Sequence, residues 1–105
     1  MTTVNISIAR DFSPSPAGRY ESDGPFPGSL FLEKILLPGV RANDKVEINM
    51  DGTDGYGSSF LEEAFGGLVR AGYSPKALHQ KLKLISSRKS YEQRVWDYID
   101  RAASV

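Results

Sequence analysis

The stretch VEINMDGTDGYGSSFLEEAFGGLVR, residues 46–70, decides the fold of this chain. Its first residues alternate apolar and polar side chains as a half-buried strand does, and its last residues repeat apolar side chains at helical spacing. The segment between them, residues 51–59, is rich in glycine and serine. The pattern predicts a strand, a loop and a helix in succession. Five of its apolar residues are predicted to be core: Val46, Ile48, Leu61, Phe65 and Leu68.

The same two periodicities recur on either side of this stretch. Further strands are predicted near residues 4–8 and 82–84, and further helices over residues 30–37 and 91–102. The order β-α-β-α-β-α predicts an α/β fold in one small domain spanning residues 1–105, with a mixed sheet. Polar residues such as Asn5, Glu47 and Lys83 alternate along the strands, so the helices should pack mainly on one face of the sheet.

Proline and glycine predict where two of the connections lie. Pro38-Gly39 should end the helix that begins near residue 30, because proline removes a helical hydrogen bond. Residues 9–29 contain several prolines and glycines and have no helical spacing. An irregular hairpin with a strand near residues 18–22 is predicted there.

The composition excludes several classes of function. The 105 residues contain no cysteine and one histidine, His79, which removes disulfides, thiolate nucleophiles and the common zinc sites. His79 is predicted to be a surface residue without a chemical role. No apolar run approaches the roughly 20 residues of a spanning helix, and the first residues lack a signal-peptide pattern. A cytoplasmic location without membrane contact is therefore expected, and no cofactor is predicted.

Charge is distributed unevenly along the chain. Residues 70–105 hold 8 basic and 3 acidic side chains, whereas residues 1–69 hold 5 basic and 10 acidic ones. The basic residues would suit a nucleic acid, but no aromatic RNA-binding motif or recognition helix accompanies them. The sequence therefore favours a solvated basic face and argues against nucleic acid as a partner.

The loop Gly52–Ser59 has the spacing of a phosphate-binding loop. Ser58 stands where such a loop carries the lysine that contacts the β- and γ-phosphates. Nucleotide or phosphate binding by this loop is therefore an alternative function, not the leading one. Acidic residues in and beside the loop could gather to hold Mg²⁺, but acids around a helix start are more often caps. They are Asp51, Asp54, Glu62 and Glu63.

The two serines at the helix start are predicted to play different parts. Ser59 and Glu62 have the spacing of a capping box, in which the serine hydroxyl accepts from the amide of residue 62 and the carboxylate folds back. Ser58 would then lie exposed just outside the helix. A phosphate on Ser58 would be attracted by the helix dipole and repelled by Glu62 and Glu63.

Residues 46–70, together with Gly18-Arg19-Tyr20 and Asp23-Gly24-Pro25, resemble the STAS-like domain family of unknown function. That family is similar in turn to STAS domains, including the anti-sigma factor antagonists. In those proteins a partner kinase with a histidine-kinase-type ATPase fold phosphorylates a serine at the start of the helix after a central strand. The resemblance implies the same for Ser58 or Ser59, with Ser58 as the better match. The motif differs here, because Gly57 replaces its aspartate and Phe60 replaces its glycine.

The predicted function is therefore that of a regulatory protein-interaction domain and not of an enzyme. Its partner would be an ATPase-fold serine kinase, and self-association into a homodimer is left open. A structural subunit of a multi-protein system, related to defence or to phages, is a further alternative. The loop surface is predicted at Asp54, Gly55, Tyr56 and Gly57, and the resemblance adds Arg19, Tyr20 and Asp23 as supporting residues.

Overall fold

A computed structural model describes residues 1–103, which contain a single sheet of three strands. The strands are β1 (Thr3–Ser7), β2 (Lys45–Asn49) and β3 (Leu82–Ile85), in the spatial order β1-β2-β3. All of them run parallel, because each connection between successive strands passes through a helix. The α/β class is confirmed, and the sheet is parallel throughout instead of mixed.

The helices pack on one face of this sheet, as predicted. Val46 of β2 pairs with Leu82 of β3, and Ile48 pairs with Leu84; all of them are buried beneath the helices. Asn49 and Lys83, on the opposite face, are exposed. The polar half of the alternating pattern thus faces away from the helices.

Two long helices are built from several segments. The α-helical segments are α1 (Gly28–Phe31), α2 (Leu37–Ala42), α3 (Ser58–Leu61), α4 (Gly67–Arg70), α5 (Pro75–Lys81) and α6 (Lys89–Ala102). The π-helical segments Leu32–Leu36 and Glu62–Gly66 make residues 28–42 and 58–70 continuous helices. Nowhere in residues 1–103 is a helix both long enough and apolar enough to cross a membrane.

The prediction that Pro38-Gly39 ends the first long helix is wrong. The helix continues to Ala42, and Pro38 lies inside it. Leu37, just before the proline, donates its N–H to the carbonyl of Leu32, five residues back. The proline therefore follows a widened turn, and such turns absorb the distortion that proline imposes on a helix.

The predicted strand near residues 18–22 is also wrong. Residues Glu21–Asp23 form a 3₁₀ turn instead, although backbone bonds do close the loop: Ala17 donates to Phe26 over 3.0 Å and Gly28 donates to Gly18 over 2.9 Å. Prolines 25 and 27 supply no N–H to a ladder, which accounts for the irregular pairing.

The core between the sheet and the helices contains every residue that the sequence predicted for it. Val46, Ile48, Leu61, Phe65 and Leu68 have no exposed surface. The two long helices also touch each other closely, since the Phe31 and Phe60 rings stack with centroids 5.9 Å apart. Gly67 packs against the Leu32 side chain, which explains why a glycine stands in that helix.

Candidate functional site

The loop after β2 folds back on itself through glycines and internal hydrogen bonds. Gly52 and Gly55 adopt φ angles of +95° and +127°, which side chains rarely allow. The amide of Asp54 donates to the Pro14 carbonyl over 2.9 Å, and that of Gly55 donates to Thr53 Oγ1 over 3.3 Å. These amides are used inside the protein, so they are not directed at a phosphate as in a nucleotide-binding loop.

A shallow polar cavity of about 180 Å³ opens beside this loop, at the carboxyl ends of β2 and β3. Asp51 and Asp54 line it together with Arg88, so its walls carry charges of both signs. Asp51 is already engaged, because its Oδ1 accepts from the Ser87 amide at 2.8 Å and from the Ser87 hydroxyl at 2.9 Å. The cavity therefore lacks the concentrated positive charge that a nucleotide's phosphates require.

Tyr56 is the internal anchor of the loop. Its hydroxyl donates to the Met50 carbonyl over 2.7 Å, and its ring contacts Phe60 and Tyr91 at centroid distances of 5.9 and 5.1 Å. Burial raises the pKa of Tyr56 to about 12. Tyr56 was predicted as part of a binding surface, but its side chain is buried and fixes the loop from within.

The junction between the loop and the helix presents both serines to solvent. Gly57 occupies the N-cap position, and Ser58 and Ser59 are the first two helical residues, both exposed. The predicted capping box is therefore wrong: Ser59 is not the cap, and no side-chain bond caps this helix. The exposure predicted for Ser58 is confirmed, although Ser58 lies inside the helix.

Glu62 does not fold back over the helix start because two arginines bind it. Arg19 Nη1 lies 2.6 Å from Glu62 Oε1 and 3.1 Å from Glu63 Oε1. Arg70 Nη1 lies 2.8 Å from Glu62 Oε2. Hydrogen bonds from Arg70 and Arg19 hold the pKa of Glu62 below its usual value. Gly66 leaves room for this pair, since a Cβ there would lie 2.5 Å from Glu62 Oε2.

The long loop delivers Arg19 to this cluster, which joins two segments that the family resemblance had singled out separately. Asp23 Oδ2 accepts from the amides of Arg19 and Tyr20 at 3.1 and 3.0 Å. These bonds lower the pKa of Asp23. Asp23 thus positions the Arg19 backbone, while the Tyr20 side chain is half exposed.

Arg70 is the member of this cluster that sequence reasoning missed. It lies eight residues after Glu62, and side chains on a regular helix are expected to pair at three or four residues. Arg70 bridges the extra distance along the π-helical segment between them. The glycines at positions 66 and 67 indicated that another group packs closely against the helix, but they did not identify that group.

Other polar residues of the chain do not join this site. His79 is exposed, as predicted; its Nε2 lies 2.9 Å from Asp100 Oδ1, and its ring stacks on Trp96 with centroids 4.1 Å apart. In the part of the chain that the structure describes, no three His, Cys, Asp or Glu side chains are grouped to hold a metal ion. Of the acids that the sequence offered for Mg²⁺, the Asp51 carboxylate accepts from Ser87, and Glu62 and Glu63 pair with arginines.

The fold and the site together define a small α/β domain whose exposed serines begin the helix after the central strand. Residues 28–92, more than half of the chain, match the family model described as a STAS-like domain of unknown function. The chain belongs to this STAS-like family. No curated protein and no solved structure matches it.

Proposed function

We propose that this domain is a cytoplasmic regulatory module that binds a protein partner at the start of the 58–70 helix and is switched by serine phosphorylation there. The partner would be a serine kinase with an ATPase fold. One observation carries the proposal: Ser58 and Ser59 are both exposed in the first helical turn, and Gly57, not a serine, occupies the cap. Neither hydroxyl is committed to capping the helix, so both are free to be modified.

The surface around these serines suits a docking role because its exposed residues lie directly over buried core side chains. Asp54 and Gly57 are exposed beside the two serines. Directly beneath, the side chains of Tyr56, Phe60 and Leu61 are buried. A partner would therefore meet a preformed surface and would lose little affinity to ordering it.

The charges at the site tolerate a phosphate better than the sequence alone indicates. A phosphate brings up to about two negative charges, and the first turn of a helix attracts them. Glu62 and Glu63 would repel it, but Arg19 and Arg70 pair with both carboxylates and offset their charge. Phosphorylation would then change the docking surface without unfolding the helix start.

Binding to the purified kinase tests this proposal. The full chain would be titrated with a candidate ATPase-fold serine kinase, and the affinity measured by calorimetry. Ser58→Asp or Ser59→Asp should weaken binding at least about tenfold by adding charge to the docking surface. Ser58→Ala and Ser59→Ala should keep wild-type affinity.

Ser90 provides the matched control, because it is the exposed second residue of α6 as Ser59 is of α3. Ser90→Asp adds the same charge to another helix start and should leave the affinity unchanged. Equal affinity of all three aspartate variants, or no binding by the wild-type chain, would refute the proposal.

A further inference from the structure

The backbone of β1 leaves donors and acceptors free on the side away from β2. The Lys45 amide donates to the Thr2 carbonyl over 3.0 Å, so the even-numbered residues of this stretch direct their backbone groups at β2. The backbone groups of Thr3, Asn5 and Ser7 therefore point the other way. Within residues 1–103, β1 has no second neighbouring strand, and the backbone groups of Thr3 and Asn5 make no hydrogen bond. β1 is thus an open edge of the sheet.

Ser7 is not available at this edge, because its backbone groups are used by the turn that follows. Its amide donates to Asp11 Oδ2 over 2.8 Å. Ser7 is also the N-cap of the π-helical turn Ile8–Phe12, and the carbonyl of an N-cap residue accepts the first bond of its helix. Only Thr3 and Asn5 are therefore free to pair with another strand.

The side chains of this edge do not repel a second strand. Natural sheets commonly protect an open edge with lysine or proline. β3, at the other edge, is protected in this way, since it contains Lys83 and follows Lys81. β1, in contrast, has neither a charged residue nor a proline. The chain as a whole has a formal net charge of zero, so two copies of it do not repel each other strongly.

We infer that β1 is a self-association edge, which pairs antiparallel with β1 of a second copy of this chain across a two-fold axis at Val4. This inference is independent of the proposed phosphorylation. In this register Thr3 lies opposite Asn5 of the second copy, and the two residues exchange both of their backbone hydrogen bonds. By symmetry Asn5 does the same with Thr3 of the second copy. Every free backbone group of the edge is then paired.

The side chains of β1 fit the same register. Val4 lies on the helix-covered face and is half-buried; a Cβ on Gly39 would lie 3.7 Å from its Cγ1. On the axis, Val4 would face its own copy in a pair without backbone hydrogen bonds, where side chains approach most closely. Its remaining exposed surface would be buried there. The exposed side chains of Thr3 and Asn5 would meet on the open face as a polar pair, and the two sheets would become one.

Sedimentation equilibrium of the full chain tests this pairing. A short strand buries little surface, and interfaces below about 1,200 Å² are typically weak, so we expect a dissociation constant of about 10 μM to 1 mM. Asn5→Pro removes the outward N–H without removing a hydrogen bond within the chain, and its ring occupies the edge. It should weaken the dimer at least about tenfold, because the donor is lost from both copies. Asn5→Ala is the matched control: it keeps the backbone donor and should dimerise as the wild type does.

Amide hydrogen exchange of the wild type, followed by NMR, supplies a second measurement if Asn5→Pro fails to fold. The amides of Thr3 and Asn5 should become protected as the protein concentration rises. Leu84 reports on the other edge, because the Met50 amide donates to the Ile85 carbonyl over 2.8 Å and the groups of Leu84 therefore point away from β2. Its amide should not change. A wild type that stays monomeric, an Asn5→Pro chain that dimerises as well as the wild type, or protection that rises at Leu84 instead would overturn the inference.

Discussion

Gly28 and Phe60 meet where the two long helices cross. A Cβ on Gly28 would lie 2.5 Å from the Phe60 carbonyl oxygen and 3.3 Å from the Ala64 nitrogen. Both neighbours are backbone atoms, so they cannot rotate away as a side chain would. This contact fixes the start of the serine-bearing helix against the start of the 28–42 helix.

Gly28→Ala should therefore destabilise the domain. Inserting a methyl group into such a contact forces backbone shifts that typically cost about 1 to 3 kcal/mol. Urea denaturation measures the loss. Gly57→Ser is the control, since nothing lies within 4 Å of a Cβ at Gly57 and serine is a good cap, so stability should be kept or slightly raised. Equal midpoints for Gly28→Ala and the wild type would show that the helices do not cross here.

The Glu62 cluster should contribute stability that depends on pH. Arg70 and Arg19 lower the pKa of Glu62 below its unfolded value near 4.5. The folded state gains from the carboxylate above that value, and the gain is lost as the pH falls through the lower folded pKa. The difference in unfolding free energy between the wild type and Glu62→Gln should thus be largest at neutral pH and shrink below about pH 4.5. A difference that stays constant with pH would contradict these pairings.

Replacing Ser74 or Ser59, two serines near helix starts, by alanine should change the stability of the domain by different amounts. Ser74 caps α5 by accepting from the Ala77 amide at 3.1 Å, so Ser74→Ala should cost about 0.5 to 2 kcal/mol. Ser59 is not a cap, so Ser59→Ala should change stability by less than about 0.5 kcal/mol. Thermal or urea unfolding compares the two variants. A larger loss of stability for Ser59→Ala than for Ser74→Ala would show that Ser59 caps its helix after all.

ATP and GTP should bind this domain no more tightly than millimolar. The loop lacks the phosphate-binding lysine, and the amides of Asp54 and Gly55 donate within the protein. Calorimetry with each nucleotide and Mg²⁺ measures this directly. A micromolar isotherm that Gly57→Val weakens would favour the nucleotide-binding alternative instead.

The strands and the central helix could be predicted because their hydrophobic periods are regular. Ile48 and Phe65 lie where a period of two and a helical period place them. The helix end predicted at Pro38 is wrong because a proline usually ends a helix, whereas this one lies inside a helix. The π-helical turn that precedes it has no recognisable pattern in the sequence. Sequence rules for helix ends consider the proline alone, but whether the helix continues through Pro38 depends on the turn before it.

The residues of the candidate site could be singled out from the sequence, but the pairing of their side chains could not. Ser59 and Glu62 have the spacing of a capping box, a purely local pattern. Long-range partners override it, because Arg19 comes from 43 residues away and Arg70 from 8 residues away to bind the same carboxylate. Such ion pairs depend on how the loop and the helix pack, and no spacing along the chain encodes them.

Phosphate mapping tests the central claim most directly. The full chain would be incubated with ATP, Mg²⁺ and a candidate ATPase-fold serine kinase, and the product analysed by tandem mass spectrometry. We predict one phosphoryl group on Ser58 or Ser59, none on Ser90, which is also exposed, and no modification when both Ser58 and Ser59 are alanine. A kinase that binds the chain and hydrolyses ATP but leaves both serines unmodified would contradict the account.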